Sequence, residues 1–437
     1  MFCNPVQLLS TGLGGVGARA PIHNCSCAQS SIPPSSTPVP SPPPRQRLRF
    51  HRRRPCFANR QIQRIQMEAA PKKSNPADSL TVNLLVEILR RLPVRSLCRF
   101  KCVSRSWYRL ISNPHHRMPQ TLAGFFYHSF NGERFPRRAH HFTNVTGKGV
   151  PFIYPSFSFL PVPSKDVVLR DSCNGLLLCT CYEPSPNDGN NFHYVVCNPA
   201  TKKWLMFPGG NWDADCVRTA RLGFDPTVSS HFHVIECVVD PSDDCVIGVK
   251  IYSSKTATWN FKESQSKWGD SVMLDDTSRS VFLNGFMHML TYASGIIVVD
   301  MEGKIWRKIP MRGADLSGGS IHQTQGRLCL LNVDIHNPSN LSIWILEDHG
   351  SNKWTLKHTV STMRLFRQKN IQFDGPGGYN VIAVHPECNL IFFVYGWDQT
   401  LMAYEVDRKV RVIRKLGRDC SGPYLPYVPL FLEQLAE

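Results

Sequence analysis

"LTVNLLVEILRRLPVRSLCRFKCVSRSWYRLISNP", residues 80–114, is the most regularly patterned stretch of the chain. Leu85, Ile88, Leu89 and Leu92 recur at i, i+3, i+4 and i+7, and Val103, Trp107, Leu110 and Ile111 at i, i+4, i+7 and i+8, the spacing of one helical face. Pro93 should end the first helix and open the next turn. Ser104 or a close neighbour should cap the last helix, and Asn113-Pro114 should stop it. The pattern therefore predicts three short helices between Ala77 and about His116. A unit of that size is at or below what its own core can hold together. Yet Leu84, Leu85 and Val86 are consecutive and cannot all point inward. Each large aliphatic left in water forfeits roughly 1.5–3 kcal/mol relative to burial. The surplus implies a second surface, supplied either by the rest of the chain or by another protein. Glu87, Arg90 and Arg91 read as the solvated face.

Downstream the texture changes to short β-branched and aromatic runs separated by Gly, Asn, Asp and Ser clusters. A tryptophan closes one strand-like run after another: "NPATKKWLMFP" (Trp204), "YSSKTATWNF" (Trp259), "DMEGKIWRKIP" (Trp306) and "EDHGSNKWTLKH" (Trp354), at intervals of 55, 47 and 48 residues. A fifth unit fits "AYEVDRKVRVIRKL", with Val410 in the tryptophan position. Hydrophobic hairpins such as "NGLLLCTCYE", "FLNGFMHMLTYASGIIVVD" and "QGRLCLLNVD" lie between. A period near 50 residues is what kelch-like propeller blades show, and length over period gives about six blades. The tryptophans are read as packing anchors between sheets; the competing reading, ligand-stacking platforms, needs them to face one pocket. The turn-rich stretches Pro184–Asn191, Gly209–Cys216 and Asp334–Asn340 are the candidate recognition loops.

The formal charge of +17 is unevenly placed. Residues 1–75 carry 11 Lys/Arg against one acid and residues 76–130 carry 8 against 2, whereas 131–437 carry 31 against 30. The large β region thus offers no net drive toward phosphate, and nucleic acid is not an expected partner. Residues 1–75, rich in Pro, Ser and Arg, cannot bury enough apolar surface to offset their conformational entropy and are expected to be disordered. Their composition also fits an organelle transit peptide. A solvated tail, or upstream sequence with initiation at Met67, is the plainer reading. The longest strongly apolar run, Leu390 to Tyr395, is too short to span a bilayer, so no membrane span is expected. Sixteen cysteines, several within apolar runs (Cys179, Cys197, Cys237, Cys329), read as free thiols in a reducing compartment.

Chemical motifs are weak. "GLGGVG" (Gly12 to Gly17) matches a dinucleotide-loop pattern but lacks the acid about 20 residues on that such a site needs. Cys25/Cys27 and Cys179/Cys181 lack zinc spacing, and His231/His233 lack a third ligand. No nucleophile elbow, zincin helix or phosphate loop occurs. No catalytic residue, metal or cofactor is expected.

The helical stretch closely resembles an F-box. The matching positions are Leu80, Leu84, Glu87, Ile88, Leu89, Leu92, Pro93, Ser96, Leu97, Phe100, Val103 and Trp107, with Thr81 in place of the proline that usually opens the first helix. "DSCNGLLLC", "VVCNPATKKWLMFP", "RLGFDP", "IYSSKTATW" and "VFLNGFMHML" resemble, in order, the F-box-associated region of plant F-box proteins. The resemblance implies a small all-α F-box module at 76–118 and an all-β propeller-like domain at 119–437, behind a disordered tail at 1–75. It implies a non-catalytic substrate adaptor of a Skp1–cullin–F-box ubiquitin ligase in cytoplasm or nucleus. Leu80, Leu84, Leu85, Ile88, Leu89, Leu92, Pro93, Leu97, Phe100, Val103 and Trp107 would bind a Skp1-like protein, and through it cullin. The sequence does not divide groove-filling residues from those that hold the helices together. The propeller would bind an unknown protein substrate. The alternative is a glycan-binding or glycan-processing propeller, since propellers host both functions.

Overall fold

Alternating β-branched and aromatic residues between Gly124 and Tyr427 fold into antiparallel meanders. The computed structural model describes residues 80–430 with interruptions, the longest at 113–121, 183–191, 210–218 and 265–271. The expected disordered tail, Pro93, the glycine run at Gly12 to Gly17 and the loop Pro184–Asn191 lie outside the described residues, as does nearly all of Gly209–Cys216.

The β region begins with β1 (Gly124–Phe130) and β2 (Arg138–Asn144). Blade 1 comprises β3 (Val167–Cys173), β4 (Leu176–Tyr182), β5 (Phe192–Asn198) and β6 (Lys203–Pro208). Blade 2 comprises β7 (Arg221–Gly223), β8 (His233–Val239), β9 (Val246–Ser253) and β10 (Thr258–Glu263). Blade 3 follows as β11 (Val281–Leu283), β12 (Phe286–Thr291), β13 (Gly295–Asp300) and β14 (Trp306–Pro310). Blade 4 is β15 (Leu316–Thr324), β16 (Arg327–Asp334), β17 (Asn337–Asp348) and β18 (Lys353–Ser361). Blade 5 is β19 (Tyr379–Val384), β20 (Leu390–Tyr395), β21 (Thr400–Glu405) and β22 (Val410–Lys415). The last strand, β23 (Cys420–Tyr427), returns to pair with β1, giving the three-stranded sixth blade β2-β1-β23. The register runs Gly124↔Tyr427, Phe126↔Leu425 and His128↔Ser421. The ring is thus closed by hydrogen bonds between the two ends of the β domain. Of the expected recognition loops, Asp334–Asn340 is mostly strand: β17 resumes at Asn337, because β16 and β17 form a long hairpin.

The seams between blades are the core. Leu177, Cys179 and Cys181 of β4 face blade 6, packing with Phe126 and Tyr427, while Leu176 and Leu178 of the same strand face Tyr252 and Leu222 of blade 2. Burial on both faces explains why β4 reads as a continuous apolar run rather than an alternating one. Cys179 and Cys181 share one face and are packing residues. Blade 3 divides in the same way, with Ile297 and Val299 against blade 2 and Ile296 and Val298 against blade 4.

Asn174-Gly175, Asn284-Gly285 and Gln325-Gly326 each place two successive residues at positive φ, joining the first and second strands of blades 1, 3 and 4. Paired left-handed residues match the twist of a two-residue hairpin, and glycine takes the second position without steric cost. These are the hairpins expected from "NGLL", "NGFM" and "QGRL".

The tryptophans open the outermost strand of their blades instead of closing a run. Trp204, Trp259, Trp306 and Trp354 sit at the first or second residue of β6, β10, β14 and β18, and Val410 begins β22. Trp259 Nε1 donates to Pro208 O at 3.1 Å, and Trp354 Nε1 to Pro310 O at 3.2 Å. Each acceptor ends the outermost strand of the preceding blade. These two indoles tie blade to blade, as the packing reading required.

Ahead of the propeller, α1 (Val82–Arg90) and α2 (Arg105–Ser112) flank helical backbone at Ser96, Leu97 and Phe100. No helix among the described residues is long and apolar enough to cross a membrane.

Candidate functional site: a helical face and a channel

The helical module begins at a weak cap. Leu84 N donates to Thr81 Oγ1 at 3.4 Å, so threonine does serve where proline was the expected residue, through a long bond. Ser104 Oγ caps α2, accepting from Trp107 N at 3.2 Å. Between the helices Leu89, Leu97 and Ile111 are buried together, with Leu92, Phe100, Trp107 and Leu110 packed around them. Phe100 and Trp107 meet edge to face, centroids 5.3 Å apart.

That packing separates residues the sequence left undivided. Leu89 and Leu97 are closed inside the bundle, and Phe100, Trp107 and Leu92 are half-buried against them. These five shape the module. Leu84 and Ile88, four residues apart on α1, are 52% and 46% exposed, and Leu80, just ahead of the helix, is 38% exposed. Val82 and Val103 are also exposed, and Leu85 is half-buried. A stripe of three large aliphatics in water is the surplus inferred from the pattern, and it stays uncovered.

The second feature lies on the propeller axis. β3, β7, β15, β19 and β23 line a central cavity of about 770 Å³, and a smaller recess of about 120 Å³ adjoins it. Arg279 and His322 line both, and so mark the waist between them. Asp171 on β3 is buried; its Oδ1 accepts from Ser172 N at 2.8 Å and its Oδ2 from Leu222 N at 2.9 Å. Burial pushes its carboxyl up from the usual range, while the charges of Arg221 and Arg279 and the two backbone donors pull it back. Arg221 on β7 donates Nη1 to Ala220 O and Nη2 to Ser278 O, each at 3.1 Å. Arg279, just before β11, reaches across to Ile382 O on β19, 3.2 Å from its Nη1. The inner strands of different blades are therefore pinned together by charge-assisted bonds.

Sequence reading missed this cluster. A signal was present in "VVLRDSCNG" and "RLGFDP": a charged residue inside a short apolar strand next to a turn is costly unless it is partnered. Among the described residues, no three His, Cys, Asp or Glu side chains group as a metal site.

The channel histidines carry a pH consequence. Burial, then the Arg279 charge, pushes His322 down to about 3. Burial, then Arg138, His140 and His141, pushes His128 down to about 4. A native state that keeps these rings neutral binds fewer protons than the unfolded protein between these values and 6.5. Their contribution is thus fully present above pH 6.5 and is lost on acidification. Between about pH 6 and 4.5, stability should fall by about 1.4 kcal/mol per pH unit for His322, and by less for the more exposed His128. His322→Gln should flatten the plot of melting midpoint against pH in that window; an unchanged slope would remove His322 from the account.

Comparison with known proteins agrees with this architecture. The profile of the "F-box protein At3g26010-like, beta-propeller" family matches residues 151–421, and the F-box domain profile matches 78–117. The chain belongs to the F-box propeller proteins. F-box protein At5g07610 of Arabidopsis thaliana is 26% identical over 64% of this chain and 69% of its own. F-box protein At1g30790 of the same plant is 22% identical over 79% and 92%. The F-box/kelch-repeat protein At3g23880, also of Arabidopsis thaliana, is 25% identical over 65% and 80%. In this F-box protein the matched F-box holds the uncovered leucine face, and the matched propeller holds the channel.

Proposed function

We propose that this F-box protein is the substrate-recognition subunit of a Skp1–cullin–F-box ubiquitin ligase, acting in cytoplasm or nucleus. The F-box docks a Skp1-like protein, which carries cullin, and the propeller receives the protein to be ubiquitinated. The protein itself makes and breaks no bonds; ubiquitin transfer belongs to the rest of the ligase. The observation that carries this reading is the aliphatic stripe Leu80–Leu84–Ile88, exposed on a bundle too small to hold a large core. Covering it recovers about half of the roughly 1.5–3 kcal/mol that full burial gives per side chain, which over three neighbouring side chains is the scale of an interface anchor. Leu85 and Val103 extend the docking face; Leu89, Leu92, Leu97, Phe100 and Trp107 act through the shape of the module.

Co-expression of the full-length protein with a Skp1-like protein tests it. The expected result is a stable complex on size exclusion that also retains cullin when cullin is added. An F-box protein that elutes free of the Skp1-like protein under conditions where it is folded would refute the assignment.

A further inference from the structure

Guanidiniums gather at the channel waist. Arg170, Arg221 and Arg279 line the main cavity, and among the described residues lining it or the recess Asp171 is the carboxylate. Arg170 donates from Nε to Thr180 Oγ1 at 3.0 Å and from Nη2 to Tyr182 OH at 2.9 Å, neutral partners that leave its charge in place. Arg221 and Arg279 also share a small pocket with Asp275, and both oxygens of Asp171 already accept backbone N–H groups. His322 and His128 are held neutral and add no further positive charge.

Arg279 shows where an anion fits. Its hydrogen bond among the described residues runs from Nη1 to Ile382 O. Among the described residues its buried Nε has no acceptor, and none bonds Nη2, its neighbour along the guanidinium edge. That edge is the one that receives both oxygens of a carboxylate in parallel. Two further buried polar atoms nearby also lack partners, Asn380 Oδ1 on the cavity wall and Ser280 Oγ in the recess. Water can satisfy a donor, but it cannot neutralise a desolvated charge.

We propose that the channel waist binds a monocarboxylate carried on an apolar body, gripped by the Nε–Nη2 edge of Arg279. The two parallel donors of that edge match the two oxygens of one carboxylate, and the phosphate arm of the titration distinguishes it from a phosphate. The rest of the ligand lies along the inner strands that carry Leu169, Val381, Ile382, Tyr424 and Leu425, which border the cavity. A cavity of about 770 Å³ is the size that holds a small molecule or the end of a peptide. The carboxylate can therefore come from a small organic acid or from the free C-terminus of a polypeptide. The site is independent of the F-box, so ligand binding and partner capture can fail separately.

Calorimetric titration of the full-length protein tests this, with sodium benzoate, benzamide, sodium phosphate, and a hexapeptide with a free or an amidated C-terminus. Benzoate, the free-acid peptide or both should bind, with the uncharged counterpart at least about 10-fold weaker. Binding of the peptide alone assigns the source to a polypeptide terminus, and binding of benzoate alone assigns it to a small acid. Arg279→Gln should weaken the binding carboxylate at least about 10-fold, with its folded state checked by its melting midpoint. Should that variant not fold, Asn380→Asp supplies an internal carboxylate on the same cavity wall and should likewise displace the ligand. Equal binding of charged and uncharged probes, tighter binding of phosphate, no carboxylate binding, or unchanged affinity in the folded variants would overturn the proposal.

Discussion

Replacing Leu84 and Ile88 together by aspartate should weaken capture of a Skp1-like protein by at least about 100-fold while leaving the propeller's melting midpoint in place. Both side chains are about half exposed in the free protein, so the fold loses little when they change; substitutions of that kind usually stay within about 0.5 kcal/mol. In the complex, the half of each aliphatic anchor still exposed in the free protein is worth roughly 0.8–1.5 kcal/mol, and both are removed. Two carboxylates must also be desolvated against an apolar groove. Every 1.4 kcal/mol is about tenfold in affinity, so the lost burial gives about 10- to 100-fold and the carboxylate desolvation takes the total beyond about 100-fold. Leu89→Ala is the instructive contrast. Leu89 is fully buried, and a core leucine truncation costs about 2–5 kcal/mol, enough to unfold so small a bundle. It too should lose the partner, but with loss of the helical circular-dichroism signal, whereas Leu84→Asp/Ile88→Asp keeps that signal. Calorimetric titration with the Skp1-like protein, read beside circular dichroism, separates the two routes. Wild-type affinity in the double variant would place the docking face elsewhere.

The same contrast explains how much was legible beforehand. The helical period located α1 and α2 and the apolar surplus, because a 3.6-residue period is a local property. It could not say whether Leu84 or Leu89 faced inward, since both belong to the same apolar run and the answer depends on how the helices cross. In the propeller the Asn-Gly pairs fixed hairpins through backbone chemistry alone, and the recurring tryptophan marked four of the six blades. The tryptophan's place at the start of the outer strand was misread as the end of a run, because composition gives strand content but not strand boundaries. The Asp171–Arg221–Arg279 cluster was invisible for a different reason. Its members are 50 and 58 residues apart in sequence and meet because ring closure brings the first strands of different blades to one axis. Likewise nothing local in "CSGPYLPY" says that β23 belongs beside β1, nearly 300 residues earlier.

That last pairing carries the second large effect. A protein truncated after residue 418 should lose cooperative urea unfolding of the propeller altogether. β23 is the innermost strand of blade 6, and its Leu425 and Tyr427 are buried in the seam with blade 1. Tyr427 meets Phe126 edge to face at 5.3 Å, and Tyr427 OH accepts from Ala200 N of the neighbouring blade at 3.2 Å. Removing the strand strips β1 of its ladder partner and opens two seams at once, since Tyr424 also packs in the seam with blade 5. An open ring leaves an unpaired apolar edge, which should appear as aggregation. The point substitution Leu425→Ala should show the same dependence in graded form, costing about 2–5 kcal/mol, a large share of the roughly 5–15 kcal/mol that holds a folded domain. Val412→Ala, on the exposed outer strand β22, should stay within about 0.5 kcal/mol. The comparison isolates closure from strand content, because each variant alters an apolar side chain of a β-strand in the same ring. If the truncated protein unfolded in one transition at the wild-type urea midpoint, the bonds between β23 and β1 would be incidental, and the ring would have to be held by the other seams alone.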